Sequence, residues 1–371
     1  MKMIVVIGIG LVILLTPILF LFSSSSSPIN SNIGLREKSL YSQYRSAYVL
    51  SNGAVISNPL PVSWCPNSGI GCDKDTTSEA VSRLARYATM SGYKNDTDLE
   101  VKFYYDFMKN NNTNYMNWKL SPSLVPESQD SAVDSELIMI EAMFNADKLW
   151  SKDSEGRPYM TTALILMDSL KSGVIDGKYL PYCMYPVGNI SMPCERKVYL
   201  GYLNLLTLKK MCSIDSFWCG VYDESRTLMI GAIQNGGIYT AYNIDSKTYS
   251  YENAPVHMDW VMKQIMSDDS INQNTNIQVY YNKSRVLFMN NTEICQEFAP
   301  FQGCKVTTPD TYVYADYLEM ASFINDKVFG TGLQDFIFND RLVYDKPQDQ
   351  YGNIAILESL AYARKEWKTI E

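Results

Sequence analysis

The sequence predicts an all-α fold, an (α/α) barrel in which paired helices form two concentric shells. Three observations predict it. Asp134 to Trp150 carries two apolar stripes, Leu137, Ile140 and Phe144 on one and Met139, Met143, Ala146 and Trp150 on the other. A helix that is apolar on two sides is buried on two sides. Helical spacing then recurs along the chain with short links, and no strand–helix alternation argues for a parallel sheet. Periodicity alone leaves a helical solenoid open, although no fixed repeat period is present.

Residues 3–22 form a run of 20 residues without a charge, about the length that crosses a bilayer core. Lys2 is the one flanking charge and favours a cytoplasmic N-terminus. No small-x-small cleavage site clearly follows, so the reading is a transmembrane anchor over 1–22, with a cleaved signal peptide as the alternative. The Ser-rich stretch 23–35 reads as a tether. Residues 36–371 form the barrel domain, large enough to bury a single big core.

Within that domain, Pro158 suits a first helical position, and Tyr159, Ala163, Leu166 and Leu170 follow at helical spacing. Tyr317, Ala321, Ile324 and Val328 repeat the pattern, as do Ile356, Leu360, Ala363 and Trp367. Weaker helical patterns lie near 35–50, 77–92, 98–110, 196–211, 223–234 and 255–268. Residues 277–289 alternate and turn at Asn282-Lys283-Ser284, which predicts a small β-hairpin excursion.

Composition removes several function classes. Lys and Arg number 32 against 40 Asp and Glu, a net charge of -8, so nucleic acid is not an expected partner. One histidine, His257, excludes zinc sites built on two or more histidines. It reads as a packed or surface residue rather than a sugar contact. No cofactor is expected. Gly330-Thr331-Gly332 lacks a preceding strand and is not a phosphate loop.

The 8 cysteines fall into close pairs: Cys65/Cys72, Cys183/Cys194, Cys212/Cys219 and Cys295/Cys304. The intervening stretches are turn-rich, so local disulfides in an oxidising compartment are the simplest reading. A metal site is the rival, and the C-x-x-C spacing it usually needs is absent. Sequons at Asn95, Asn111, Asn189, Asn282 and Asn290 are compatible with glycosylation outside the cell.

Three acidic segments each open or precede a helix. Thr76 and Glu79 have capping-box spacing. Asp134 and Glu136 sit where acids favour a helix N-terminus. Glu252 lies in a turn before another helix. Each has a plain structural explanation on its own.

Taken together, in order, they resemble glycoside hydrolase family 8. Thr76-Thr77-Ser78-Glu79 is similar to the family's T-V-S-E-G-Q stretch. Asn114-Tyr115-Met116-Asn117-Trp118-Lys119 resembles its G-L-M-A-W-K. Ala132-Val133-Asp134-Ser135-Glu136-Leu137, running on to Ala146 and Trp150, keeps the spacing of the A-[ST]-D-[AG]-D signature. Tyr251-Glu252-Asn253-Ala254-Pro255-Val256 looks like Y-D-A-x-R-V, and Asp349 to Leu357 resembles the family's closing helix. The likeness covers roughly 76–366. Departures accompany it: Val133 and Ser135 replace the usual residues and Glu136 stands for the second aspartate. Ala80 follows the first glutamate instead of glycine, Glu252 replaces an aspartate, and Pro255 replaces an arginine.

The resemblance implies an (α/α)6 six-hairpin barrel and hydrolysis of β-1,4-linked glycans with inversion. Inversion needs a protonated and an ionised carboxyl about 6.5–9.5 Å apart. Glu79 would be the acid, Glu252 the base, and Asp134 would hold the distorted sugar or position the water. Asp259 is the fallback base. Trp118 and Tyr251 are the expected sugar platforms, because a pyranose stacks its apolar face on a ring. The expected partners are a polysaccharide or oligosaccharide and, through the N-terminal helix, a membrane; the chain is expected to be a monomer outside the cell. A non-catalytic glycan-binding or adhesion protein on a decayed barrel is the rival from another class. A polysaccharide lyase on a similar barrel is the second.

Overall fold

A computed structural model describes residues 28–57, 74–128, 130–185, 194–234, 237–252, 260–261, 263–265, 268 and 349–364. The expected anchor 3–22, the hairpin 277–289, the helix 317–328, His257, Asp259 and Gly330 to Gly332 lie outside them. Cys65, Cys72, Cys295 and Cys304 lie outside them too. Among the described residues no helix is long and apolar enough to cross a membrane.

The described residues are mostly helical. Helix α1 spans Pro28–Tyr48, α2 Ser78–Ser91 and α3 Lys94–Phe103, the last extended by a π-turn to Met108. Then come α4 Val133–Trp150, α5 Tyr159–Lys171, α6 Leu205–Ile214, α7 Phe217–Ala232 and α8 Asp349–Arg364. Because α1 begins at Pro28, the second half of the expected tether 23–35 is helical instead.

Packing alternates between two layers. Helix α2 packs on α4 and α4 on α6, while α8 returns to α2. These are the inner helices. Helices α3, α5 and α7 each pack against an inner neighbour in the sequence. Burial agrees: α4 is buried at Leu137, Ile140 and Phe144 and also at Met139, Met143 and Ala146, the two stripes read from the sequence except that Trp150 is only half-buried. Helix α2 is buried along nearly its whole length. It stops at Gly92, whose φ of 79° is the left-handed conformation of a helix C-terminus, and the Tyr93 N–H returns to the Ala88 carbonyl. Helix α8 meets α1 through Asn353, which donates to the Tyr48 hydroxyl at 2.9 Å.

Small sheets qualify the all-α expectation. Strands of two or three residues sit at the helix ends: β1 Thr76–Thr77, β2 Lys119–Leu120, β3 Pro126–Ser128, β4 Ser131–Ala132 and β5 Cys183–Met184. They continue with β6 Lys197–Tyr199, β7 Ile233–Gln234, β8 Gly237–Ile238, β9 Ala241–Asn243 and β10 Thr248–Ser250. All pairings are antiparallel, in orders β1-β2-β3, β10-β9-β6, β4-β5 and β7-β8. Residues 196–211, expected as one helix, divide into β6, a short 3-10 turn Leu200–Tyr202 and α6. Pro158 is the cap before α5 rather than its first residue, its ψ of 132° being extended. Disulfides join Cys183 to Cys194 and Cys212 to Cys219, so both described pairs are the expected local ones.

One buried acid sets a pH dependence. Glu100 on α3 is fully buried, and neither carboxyl oxygen has a hydrogen-bond partner among the described residues. Burial first, and then the charge on Asp96, push its pKa well up, while Arg45 opposes them. The folded chain keeps this carboxyl neutral at pH values where the unfolded chain ionises it. Its contribution therefore falls as pH rises above the ordinary glutamate range towards the folded pKa. Glu100→Gln is expected to raise stability in urea by at least about 1 kcal/mol at pH 8 and much less at pH 5. An equal gain at both pH values would refute this.

Candidate active site

Glu79 occupies the first turn of α2. Its position follows from the cap: the Thr77 side chain accepts from the Ala80 N–H at 3.4 Å. Thr77, not Thr76, is therefore the N-cap, and the expected Thr76–Glu79 capping box is displaced by one residue. Glu79 is left partly exposed, with Oε1 accepting from the Trp118 indole Nε1 at 2.9 Å. Trp118 is fixed by its backbone. Its carbonyl accepts from the Ser78 N–H at 2.9 Å, and its N–H donates to the Asp130 carbonyl at 2.7 Å.

Asp134 occupies the first turn of α4 and is buried. The two helix starts are tied directly, since Ser78 Oγ donates to Ser135 Oγ at 2.9 Å. Asp134 Oδ1 is buried without a hydrogen-bond partner among the described residues. Beside it lies a cavity of about 40 Å³ lined by Arg83, Tyr202, Asn204, Trp260 and Lys263 among others. That is room for a few waters.

The two carboxyls compete for ionisation. Desolvation raises Glu79 most, the Asp134 charge raises it further, and its hydrogen bonds to Trp118 and Thr77 only partly oppose them, leaving it at about 8. Asp134 is also raised by burial, but Arg83 and the Ser135 N–H pull the other way. Glu79 is therefore the group that keeps its proton and Asp134 the one that ionises first. Arg83 itself lies one helical turn after Glu79 on α2 and holds its guanidinium 5.6 Å from the Trp260 ring centre.

Glu136 has a different task. Its Oε1 accepts from the Met116 N–H at 2.5 Å and from Ser131 Oγ at 2.7 Å, and it is fully buried. It ties the start of α4 to the segment leading into Trp118.

Glu252 follows β10 on a neighbouring segment. Lys197 Nζ lies 2.8 Å from its Oε1 and 3.0 Å from its Oε2. Hydrogen bonds connect this segment to Asp134: the Val133 N–H donates to the Tyr182 carbonyl at 3.3 Å, and the Tyr182 N–H to the Lys197 carbonyl at 3.1 Å. Tyr251 lies against Tyr239, ring centres 4.6 Å apart. Thus Glu79, Asp134 and Trp118 meet at one point, while Glu252 and Tyr251 stand beyond Tyr182 and Lys197.

An aromatic series borders the same region. Tyr182 stacks on Tyr199 at 4.5 Å, Tyr199 meets Tyr202 edge-on at 5.4 Å, and Tyr202 lies 6.0 Å from Trp260. Sequence reasoning passed over these residues and Arg83. The i, i+4 relation to Glu79 could have found Arg83; the others are assembled by strand pairing, which leaves no periodic signal.

Trp118→Phe is expected to remove the indole donor to Glu79 and raise the carboxyl further. If catalysis needs this proton, the alkaline limb of the pH–rate profile moves upward while kcat falls. An unmoved limb would show that the hydrogen bond does not tune the acid.

No family model matches the chain, and no curated protein matches it. Solved structures do. An alpha-amylase from Clostridium perfringens is 17% identical, covers 88% of this chain and 97% of its own, and has a TM-score of 0.71. Rex8A of Paenibacillus barcinonensis, complexed with an arabinofuranosyl-xylotetraose, is 14% identical over 92% and 94%, with a TM-score of 0.68. A cold-adapted family 8 xylanase is 12% identical over 94% and 96%, with a TM-score of 0.66.

The fold is the six-hairpin (α/α)6 barrel. Likeness over nearly the full length of both chains decides it, and it accords with the alternation of inner and outer helices. The resemblance to family 8 read in the sequence extends to the three-dimensional structure. In the six-hairpin frame, the first turns of the inner helices α2 and α4 carry Glu79 and Asp134.

Proposed function

We propose that this chain is a family 8-type glycoside hydrolase that cleaves β-1,4-linked glycans with inversion outside the cell. Glu79 is the general acid, Glu252 activates the water, and Asp134 binds the sugar at the point of cleavage. Trp118 orients the acid and offers ring surface to the glycan; Tyr251 is a more distant platform.

The observation that carries this reading is the half-buried Glu79 carboxyl, held by the Trp118 indole at 2.9 Å beside the buried Asp134, a setting that pushes its pKa up to about 8. A glycosidase needs one acid that keeps its proton near neutral pH and one carboxylate that does not. Helix capping would not require a raised pKa, since a capping carboxylate gains from being ionised.

The test is reducing-end release from cellulose-derived β-glucan, xylan, chitosan and starch across pH, with the product anomer followed by NMR. Release of an inverted product from a β-glycan supports the proposal. The alpha-amylase likeness gives starch its place: release from starch alone would move the activity to α-glucans and overturn the linkage. Retention of a glycan without release would favour the binding protein, and an ultraviolet-absorbing unsaturated product would favour a lyase.

A further inference from the structure

We propose that Lys197 is the positioning residue for Glu252, a cation supplied across the sheet that fixes the direction of the water-activating carboxylate. This inference rests on the reading of Glu252 as the base.

The grip is two-pronged. Lys197 Nζ reaches both oxygens of Glu252, at 2.8 and 3.0 Å, from β6, an edge strand of the β6-β9-β10 sheet, rather than from the turn that carries Glu252. The backbone of Glu252 is pinned independently. The Thr240 hydroxyl donates to its carbonyl at 2.7 Å and stands 2.6 Å from its N–H. With the main chain held, the remaining freedom is in the side chain, which has one methylene more than the aspartate of the related stretch. Lys197, the Ser250 hydroxyl at 3.3 Å from Oε1, and the Tyr199 side chain remove that freedom.

Lys197 is well placed for this. Its side chain is 13% exposed against 28% for Glu252, so the ammonium comes from the enclosed side and leaves the carboxylate open towards solvent. Glu195, 66% exposed and 2.5 Å from Nζ, holds the ammonium from outside. A partly exposed ion pair adds little to stability, so the geometric consequence outweighs the energetic one.

The sequence gives a reason for a borrowed cation. The stretch Tyr251 to Val256 has Pro255 where the resembling motif has arginine, and no Lys or Arg lies between Tyr251 and His257. Among the described residues the positive charge on the carboxylate comes from Lys197 on β6.

The experiment compares Lys197→Met, Lys197→Arg, Glu252→Gln and the pair Lys197→Met with Pro255→Arg in the full chain. It measures kcat, KM and melting temperature on the most active soluble glycan. Lys197→Met is expected to lose roughly 10–100-fold in kcat with KM within about twofold and melting nearly unchanged. Lys197→Arg should keep most of the activity, and Pro255→Arg should return at least about fivefold to Lys197→Met. A Lys197→Met enzyme within twofold of wild-type kcat, beside an inactive Glu252→Gln, would overturn the role of Lys197 and leave the base standing. Loss that tracks melting temperature and is not restored by arginine would also overturn it. Failure of Pro255→Arg would overturn the relocated charge. An active Glu252→Gln would instead remove the base reading itself, a separate result.

Discussion

Replacing Glu79 by glutamine is expected to lower kcat on the responsive glycan by about 10³-fold, with the fold and glycan retention intact, because general acid catalysis contributes roughly 10²–10⁴-fold. Glutamine preserves the acceptor for the Trp118 indole, whose Nε1 lies 2.9 Å from Oε1, so the geometry survives while the transferable proton is lost. The wild-type rate should fall as pH rises through about 8, because the raised Glu79 pKa marks where the acid loses its proton. A Glu79→Gln protein that keeps more than a tenth of wild-type kcat would remove Glu79 from the chemistry. Melting curves beside the rate assay separate that outcome from unfolding.

Arg86→Met is expected to cost about 3–5 kcal/mol in stability, the usual effect of stranding a buried carboxylate. Arg86 on α2 lies 2.8 Å from Glu358 on α8 and 3.6 Å from Glu141 on α4. Arg86 and Glu358 are almost fully buried, and Arg83 approaches Glu358 at 3.8 Å. Adding Glu358→Met to Arg86→Met should recover part of the loss, because the almost fully buried Glu358 carboxylate is then no longer stranded, although Glu141 still lacks Arg86 and Arg83 lacks Glu358. Urea denaturation measures both. A single variant within 1 kcal/mol of wild type would mean that the site admits water when the arginine is removed.

The helices were the most legible part of the sequence. The two stripes of α4 state directly that it is buried on both sides, and the structure places it between inner and outer neighbours. The strands were not legible, because two or three residues are too few to display a period of two. Lys197-Val198-Tyr199 illustrates the failure. Its residues continue acceptably into the helical spacing of 196–211, and only pairing with β9 makes them a strand. The same local competition explains α2, where two adjacent threonines each had the chemistry to cap and Thr77 took the role.

In the candidate site the acids could be located from sequence and the cations beside them could not. Glu79 and Asp134 stand at helix starts in recognisable order, so local sequence locates them. Their proton balance depends on Arg83, and the setting of Glu252 on Lys197, both of which act through space. Tyr251 shows the complementary limit: sequence placed it beside Glu252, but its ring packs on Tyr239.

The pairing of Arg86 with Glu358 joins positions 272 residues apart. During synthesis the N-terminal helices leave the ribosome long before their closing partner exists. Until residue 358 is available, α2 must keep a guanidinium hydrated that the finished protein encloses, and the apolar flanks of α1 and α2 that meet α8 stay uncovered. Contacts of such sequence separation are formed late and make folding slow. The same bond makes α8 the element that covers α1 and α2, so a chain that stops short of it leaves their apolar flanks in water.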